Sequence, residues 1–398
     1  MQDILLQRLE KQKHHQRWRE RYALTPRATT EINYHGKNYL SFSSNDYLGL
    51  ASHPEVIGAL QKAAADYGVG STSSALIAGY STLHQELEMA FADYVGRDRA
   101  IFFGNGYMAN LGVITALIQS RSDVIYQDKL NHASLIDAAL LSKAQLLRYP
   151  HHQLNELAAL LQQPTEGLRL IASESVFSMD GSQADLTQLA ALAKTQQSLL
   201  MMDDAHGIGV MGAQGKSVAG SLSQNDCSLI TYPLGKAFGC YGALVAGSNL
   251  IIENILQFAR SYTYTTAAPP ALAAAALAAL KLIQTEGWRR EKLQELIAYF
   301  KQKVTAAGLQ LLDSATPIQS IMIGDSVKAQ QLSRTLFEAG FFVRDIRPPT
   351  VPEGTARLRL SLTAHHSIEN IDQLINTLVG PIHELALAKT ESYLNEIT

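Results

Sequence analysis

The segment "SLLMMDDAHGIG" (residues 198–209) joins a short apolar run to a cluster of acidic, histidine and glycine residues. An apolar run of four to eight residues that ends abruptly in polar residues is typical of a strand buried in a parallel sheet. In sheets of this kind, ligands bind outside the carboxyl ends of the strands. The segment therefore predicts a strand and, at its carboxyl end, one wall of a binding site.

The same pattern recurs along the chain from about residue 85, with helical stretches between the apolar runs, as expected for a mainly parallel α/β sheet. The predicted strands are "AIFF" (100–103), "DVIYQ" (123–127), "LRLIAS" (168–173), "SLLMM" (198–202), "SLITY" (228–232) and "GALVAG" (242–247). Beyond residue 285 the pattern becomes mixed α+β. We therefore predict an α/β fold in three parts: an N-terminal helix and arm (1–45), a large domain (46–285) and a small α+β domain (286–398).

Composition excludes several classes of protein. The chain has 398 residues, a net charge of −3 and two cysteines, Cys227 and Cys240. These values indicate neither a nucleic-acid-binding surface nor a disulfide framework or metal site. The N-terminal stretch 1–24 predicts a basic amphipathic helix without the apolar core of a signal peptide, and the apolar run 271–280 is too short to span a bilayer. We expect a soluble cytoplasmic protein.

The first predicted strand is followed by "GNGYMAN" (104–110). Gly104 and Gly106 lie between a strand and a helix, where free backbone N–H groups hold an anion, typically phosphate. The segment also fits G-x-G-x-x-A, the dinucleotide fingerprint. From this motif alone, an NAD-dependent dehydrogenase stays an alternative to other phosphate-binding enzymes.

Lys236 lies in the apolar, glycine-rich segment "TYPLGKAFGCYGALVAG" (231–247). An apolar environment lowers the pKa of a lysine, which supplies the neutral amine that Schiff-base chemistry requires. The flanking Gly235 and Gly239 are expected to let a bulky ring approach the backbone.

Three further side chains complete the set at the predicted strand ends. Asp203 could hold a protonated ring nitrogen, His206 could reach a ring oxygen, and His132 could stack on an aromatic cofactor. With the phosphate cradle and Lys236, they match the needs of pyridoxal 5'-phosphate (PLP).

The chain resembles the α-oxoamine synthases, which are fold-type I PLP enzymes, over residues 15–380. The segments that carry the resemblance are "FSSNDYLGL" (42–50), "HASL" (132–135), "VFSMDG" (176–181), "DDAHGIGVMG" (203–212), "GKAFG" (235–239), "YTTAAPP" (264–270) and "RPPTVPEGTARLRLSLTAHH" (347–366). The resemblance implies a fold-type I PLP-dependent transferase. Its large domain would hold a mainly parallel seven-stranded sheet, and two subunits would share their active sites in a homodimer.

The resemblance also implies a role for each cofactor-binding residue. Lys236 would form the Schiff base, Asp203 would pair with the pyridinium nitrogen, and His132 would stack on the ring. His206 and Ser178 would lie near the ring oxygen. The phosphate would be contacted from two places. These are the helix N-terminus, with Gly106, Tyr107 and Met108, and the dimer interface, with Thr266.

For the substrates, the resemblance implies that Arg359 binds the amino-acid carboxylate. The implied contacts with the acyl substrate are Asn45, Arg19 or Arg21, Arg347 and Thr350. The segment 347–360 looks like that of the family's enzyme in biotin biosynthesis. That reaction is the decarboxylative condensation of L-alanine with a pimeloyl thioester of carrier protein or coenzyme A. It gives 8-amino-7-oxononanoate, CO2 and free carrier. A sister synthase of the glycine C-acetyltransferase type is an alternative.

Two segments depart from the family pattern. Pro233 stands where many members have a phosphate-binding threonine, three residues before the lysine, and Thr231 or Tyr232 could replace that contact if the strand end shifts. The segment "GVGSTSSALIAGYS" (68–81) contains fewer glycines than the common version, which leaves the acyl-chain preference open.

Overall fold

The computed structural model describes residues 2–15, 17–26 and 30–395. The chain begins with helix α1 (Gln2–His14), followed by strands β1 (Thr25–Pro26), β2 (Glu31–Tyr34) and β3 (Lys37–Ser41). No residue of α1 is buried, and the helix ends at His14 rather than continuing to residue 24 as predicted. Helices α2 (Pro54–Tyr67) and α3 (Thr82–Val95) then precede the central sheet, with a π-helical turn (Ala75–Gly79) between them.

The central sheet has seven strands, in the spatial order β4-β10-β9-β8-β7-β5-β6. These are β4 (Arg99–Phe103), β5 (Val124–Asp128), β6 (Gln145–Tyr149), β7 (Arg169–Glu174), β8 (Leu199–Asp203), β9 (Leu229–Pro233) and β10 (Ala243–Gly247). Only β10 of this sheet runs antiparallel to its neighbours, so the other six run in one direction. The mainly parallel sheet is thus confirmed, and all six predicted strands are present.

Strand β6 was not predicted because it lies at the edge of the sheet. Its sequence, QLLRY, has exposed side chains at Gln145 and Arg148, a buried one only at Tyr149, and no continuous apolar run. A strand covered on both faces reads as an apolar run, whereas an edge strand tolerates polar residues.

Two hydrophobic clusters cover the two faces of the sheet, and alternate residues of each strand belong to one or the other. The covering helices from the same region are α4 (Gly106–Leu117), α5 (Ala133–Ser142), α6 (Leu154–Leu161), α7 (Leu186–Thr195), α8 (Asn249–Phe258), α9 (Arg260–Thr263) and α10 (Pro270–Thr285). Helix α10 has proline at its first position, as its sequence predicts. The alternation fixes which side chain at each strand end faces α4.

The C-terminal part contains α11 (Trp288–Ala306), β11 (Ile318–Gly324), α12 (Ser326–Glu338), β12 (Phe341–Phe342), β13 (Arg344–Ile346), β14 (Ala356–Ser361) and α13 (Ile368–Asn395). Strands β11, β14 and β13 form an antiparallel sheet. Strand β12 pairs in parallel with β3, so the N-terminal arm is joined to the C-terminal part, which was not predicted. The domain boundary near residue 285 stays a prediction. No helix of the described residues is long and apolar enough to cross a membrane.

Candidate active site

Five strands of the central sheet end at one edge in residues that begin the predicted site loops. These last residues are Phe103, Asp128, Glu174, Asp203 and Pro233. Because the strands run in the same direction, their carboxyl ends meet at one edge. The sheet thus assembles Lys236, Asp203, His206 and His132 from three segments that together span residues 132–236.

Lys236 lies in the loop after β9, and its side chain is half-buried. Burial lowers the pKa of Lys236 from 10.5 to about 8, and the negative charges of Asp203 and Glu174 oppose this shift. The predicted lowering of the pKa is thus confirmed. A substantial fraction of the amine is therefore neutral slightly above neutral pH, as a nucleophilic lysine requires.

The glycines that flank Lys236 differ in their surroundings. A Cβ on Gly239 would lie 2.2 Å from the backbone nitrogen of Ala51, and its φ is +62°. Gly239 therefore serves close backbone packing and not, as expected from sequence, the approach of a ring. Gly235 has no such neighbour, since the nearest atom to its Cβ position is Cys240 O at 3.7 Å.

Asp203 is buried and held by two donors. Asn110 Nδ2 donates to Asp203 Oδ2 at 2.7 Å and to Ser134 Oγ at 2.9 Å, and the Ala205 N–H donates to Asp203 Oδ1 at 3.0 Å. These bonds fix the carboxylate in the site without neutralising its charge. The sequence did not single out Asn110, although it follows the predicted phosphate turn by one helical turn.

His206 is buried beside Tyr47. Burial, with the positive charges of Lys236 and Arg359, holds the pKa of His206 well below its ordinary value, so the imidazole is neutral. Burial raises the pKa of Tyr47 to about 12, and its hydroxyl lies 2.6 Å from His206 Nδ1. We assign this hydroxyl as the donor, which places the imidazole proton on Nε2. Tyr47 was not singled out either, although it belongs to the "FSSNDYLGL" segment.

His132 is the N-cap residue of α5. Its Nδ1 accepts from the Ser134 N–H at 3.2 Å and lies 2.8 Å from Ser134 Oγ. An accepting Nδ1 leaves the proton of a neutral imidazole on Nε2. The His132 side chain is exposed, so Nε2–H is available as a donor.

Gly106 and Tyr107 form the first turn of α4 and contribute its open N–H groups. The structure departs from the prediction at Met108, because the Met108 N–H donates to Asn105 Oδ1 at 2.9 Å. Asn105 therefore caps the third N–H of the helix and leaves the first two for an anion.

Pro233 ends β9 on the face toward α4. A Cβ on Gly106 would lie only 2.6 Å from Pro233 Cγ, so the proline ring packs directly on the turn. Tyr232 points to the opposite face and packs on Phe91, which excludes it as a substitute for the missing threonine. Thr231 lies two residues before Pro233, inside the sheet, and is fully buried.

Arg359 on β14 reaches the site beside Asn45. Its guanidinium donates to Asn45 Oδ1 at 3.3 and 3.4 Å, and its Nε donates to the Ser178 carbonyl at 2.7 Å. Arg359 also acts electrostatically on Lys236. A guanidinium is thus positioned near the amine, where a carboxylate of a bound amino acid would be held.

The predicted acyl-binding residues do not all line the same cleft. Arg19 and Thr350 line one cleft of about 680 Å³ together with His132 and Ser178. Arg347 forms an ion pair with Asp345 and lines a neighbouring cleft. Arg21 is exposed and is not among the residues that line these two clefts, so the structure favours Arg19 over Arg21.

Thr266 is exposed and lines a small cavity of about 20 Å³ beside Gly104. Its role at a phosphate stays a prediction.

Glu174 is a further buried acid that sequence reasoning missed. The backbone N–H groups of His132, at 2.6 Å, and of Ser178 bond to its carboxylate. Burial and the negative charge of Asp203 raise the pKa of Glu174 well above its ordinary value. It directly follows the predicted strand 168–173, just as Asp203 follows the predicted strand 198–202. Its position could therefore have indicated a site residue.

The chemical groups gathered at this site are those that PLP requires. The site contains a lysine with a lowered pKa, a carboxylate held by hydrogen bonds and a neutral imidazole. The lysine interacts electrostatically with the other two groups. The glycine turn at Gly106 offers two N–H groups for the phosphate. Fold and site together define a fold-type I PLP-dependent transferase.

The model of the family "aminotransferase class I and II" matches residues 37–378. The chain belongs to this family and, within it, to the α-oxoamine synthases. The membership agrees with the PLP chemistry of the site and does not support the NAD-dependent alternative.

Relatives of known name cover nearly the whole chain. An 8-amino-7-oxononanoate synthase of Saccharophagus degradans is 49% identical over 369 residues, which are 92% of this chain and 93% of the relative. One of Pseudomonas syringae pv. syringae is 50% identical over 363 residues, 91% of each chain.

Solved structures show the same fold. Sphingomonas wittichii serine palmitoyltransferase has a TM-score of 0.89 at 28% identity, covering 97% of this chain and 98% of that chain. The 8-amino-7-oxononanoate synthase of Francisella tularensis has a TM-score of 0.77 at 35% identity, covering 87% and 99%. Of these two structures, the serine palmitoyltransferase has the higher TM-score, over a larger share of this chain, and the 8-amino-7-oxononanoate synthase has the higher sequence identity.

Proposed function

We propose that this protein condenses L-alanine with a pimeloyl thioester to give 8-amino-7-oxononanoate, CO2 and free carrier, as a PLP-dependent acyltransferase of biotin biosynthesis. The main observation behind this proposal is that Arg359, which is hydrogen-bonded to Asn45, interacts electrostatically with Lys236. The guanidinium of Arg359 can therefore bind a substrate carboxylate beside a reactive amine. The identity of about 50% to named synthases supports alanine and the pimeloyl group as substrates.

PLP, when bound, supplies a carbonyl that joins primary amines and a ring that accepts the electron pair released at the α-carbon. Arg359 binds the carboxylate of alanine with paired N–H donors and orients the amino acid. Lys236 Nζ removes the α-proton, which its lowered pKa permits near pH 8. With PLP in the site, Asp203 would pair with the ring nitrogen and keep it protonated, and His206 Nε2–H would donate to the ring oxygen.

His132 acts on the acyl substrate. Its Nε2–H donates to the thioester carbonyl oxygen, where negative charge develops during attack, as in an oxyanion hole. Arg19 and Thr350 border the cleft beside His132 and Ser178, so we place the acyl chain there. Arg359 holds the carboxylate until it leaves as CO2.

The test is a coupled assay with L-alanine, glycine and L-serine, each with pimeloyl thioesters of coenzyme A and of carrier protein. We expect 8-amino-7-oxononanoate from L-alanine, detected by mass spectrometry. We expect none from Lys236→Ala or from the charge-preserving control Lys236→Arg, because an arginine cannot act as a neutral amine. Turnover by Lys236→Ala would refute the role of the lysine. Preference for glycine or serine would instead indicate the sister synthase.

We further propose a homodimer in the cytoplasm, with Thr266 reaching the phosphate of the partner subunit. Val69 and Ile77 are 90% and 82% exposed, and the Ala267 N–H donates to Ser73 O at 3.0 Å, which joins their segment to that of Thr266. Large apolar side chains that one chain leaves exposed are candidates for burial between two subunits. Light scattering should give the mass of two chains, and Thr266→Val should weaken PLP binding. A monomeric active enzyme would contradict the shared site.

A further inference from the structure

His151 connects two parts of the site from a position just after β6. Its Nδ1 lies 3.0 Å from both carboxylate oxygens of Asp128, the last residue of β5. Its Nε2 lies 3.3 Å from Ser182 Oγ and 3.8 Å from Asp180 Oδ2. The imidazole therefore spans the gap between the central sheet and the loop that follows β7.

That loop is a short hairpin, named here the 175–184 hairpin. Val176 and Gln183 form an antiparallel bridge, and the Phe177 N–H donates to Ser182 O at 2.9 Å. The ring of Phe177 meets His151 edge to face at 4.5 Å between centroids. The hairpin thus rests on the imidazole through both polar and apolar contacts.

The tip of the 175–184 hairpin is clamped by the C-terminal part of the chain. Three of its carbonyl groups accept hydrogen bonds: Ser178 O from Arg359 Nε at 2.7 Å, Met179 O from Ser320 Oγ at 3.2 Å, and Gly181 O from Ser314 Oγ at 3.1 Å. The position of the hairpin therefore helps to determine the position of the Arg359 guanidinium.

His151 is also connected, through Asp128, to the turn that precedes His132. Asp128 Oδ1 accepts from the Leu130 N–H at 2.7 Å, and Asp128 O accepts from the Asn131 N–H at 3.2 Å. These bonds shape the turn that ends at His132. One imidazole thus links the turn of His132 to the hairpin that holds Arg359.

The Asp128–His151–Ser182 arrangement resembles a hydrolytic triad but is not built as one. Ser182 Oγ donates to Asp180 Oδ1 at 2.8 Å, a shorter contact than that to His151 Nε2. The serine proton is therefore held by a carboxylate and not by the imidazole that would have to accept it.

We propose that His151 is a positioning residue: it holds the 175–184 hairpin against Asp128 and thereby places Arg359 to receive the amino-acid carboxylate. The inference rests on the proposed function only in assigning that carboxylate to Arg359. His151 itself contacts no reacting group.

The experiment compares His151→Ala and His151→Asn with His35→Asn as the control. The His35 side chain is exposed in the turn between β2 and β3, and its φ of +49° is one that asparagine tolerates. L-Alanine is titrated into each PLP-loaded protein, and its Kd is read from the change in PLP absorbance, without any turnover. PLP affinity and thermal unfolding are measured alongside.

We expect His151→Ala to raise the Kd of L-alanine about tenfold, the size expected for a lost hydrogen bond to a charged group. PLP affinity should change less than twofold. His151→Asn should recover part of the loss, because its amide donates to Asp128, and His35→Asn should match wild type. In an Arg359→Lys background, His151→Ala should have little further effect, since both act on one contact.

An unchanged alanine Kd in PLP-loaded His151→Ala would overturn the inference, and so would full additivity with Arg359→Lys. If His151→Ala does not load PLP, His151→Asn decides: a Kd above that of His35→Asn supports the inference and an equal one refutes it. Wild-type protein that binds L-alanine but forms no product would refute the proposed function alone.

Discussion

Pro233 and Gly106 depend on each other across the phosphate turn. The proline ring fills the space that any side chain at position 106 would need. A proline at the end of β9 therefore requires glycine at the start of α4. Gly104, two residues earlier, has no such restriction, because the nearest atom to its Cβ position is Met108 Sδ at 3.6 Å.

Gly106→Ala should lower PLP affinity at least tenfold, because the added methyl group must displace either Pro233 or the N–H groups that face the phosphate. Overpacking of this kind costs about 1–3 kcal/mol. Equilibrium dialysis of PLP measures the effect. Gly104→Ala is the matched control and should bind PLP within twofold of wild type. Equal losses in both variants would show that the contact with Pro233 is unimportant.

The loop of Lys236 and the turn formed by residues 46–51 act as one packed unit. Asp46 accepts hydrogen bonds from the Leu50 and Ala51 N–H groups at 2.9 and 3.1 Å, which fixes the turn. Gly239 packs on the same turn with a positive φ. The placement of the lysine therefore depends on an element that precedes it by almost two hundred residues.

Gly239→Ala should destabilise the protein by about 2–4 kcal/mol, because the methyl group clashes with the Ala51 backbone and alanine disfavours a positive φ. Urea unfolding at fixed protein concentration measures the loss. Gly235→Ala provides the control, since its Cβ would meet only an ordinary contact at 3.7 Å, and it should unfold within about 1 kcal/mol of wild type. The same urea midpoint for both variants would contradict the packing argument.

The central sheet could be predicted from sequence because strands covered on both faces are continuous apolar runs. The edge strand β6 lacks such a run, and the pairing of β3 with β12 joins residues about three hundred positions apart, which no local pattern reveals.

The polar strand ends were predictable for the same topological reason. Their supports were not, since the contact of Tyr47 with His206 spans 159 residues. The Asn105 cap that removes the Met108 N–H depends on a rotamer.

The stability of the whole chain depends on carboxyl groups that are buried with raised pKa values. Burial raises the pKa of Glu88 to about 7 and that of Asp204 to about 7. A folded pKa above the unfolded one means that the folded state binds more protons between the two values. The stabilisation is therefore complete below about pH 4.5 for Glu88 and below about pH 3.8 for Asp204, and it is lost as the pH rises through 7.

Glu88→Gln should remove part of this pH dependence. The glutamine keeps an oxygen for the Phe102 N–H, which donates to Glu88 Oε1 at 2.8 Å, and carries no charge. Relative to wild type, the variant should gain stability between pH 5 and pH 8, by up to about 3 kcal/mol for a shift of this size. Urea unfolding at both pH values measures the difference, in which other titrating groups cancel. A difference that does not change with pH would contradict the assignment.

The pairing of β3 with β12 also bears on how the chain is made. Leu40 and Phe42 donate their N–H groups to the carbonyls of Gly340 and Phe342, at 2.9 and 3.1 Å. At translation rates of 5–20 residues per second, the ribosome delivers the second strand roughly 15–60 s after the first. Throughout that interval β3 lacks its β12 partner, so this strand edge of the nascent arm stays unpaired until residues 341–342 have been synthesised.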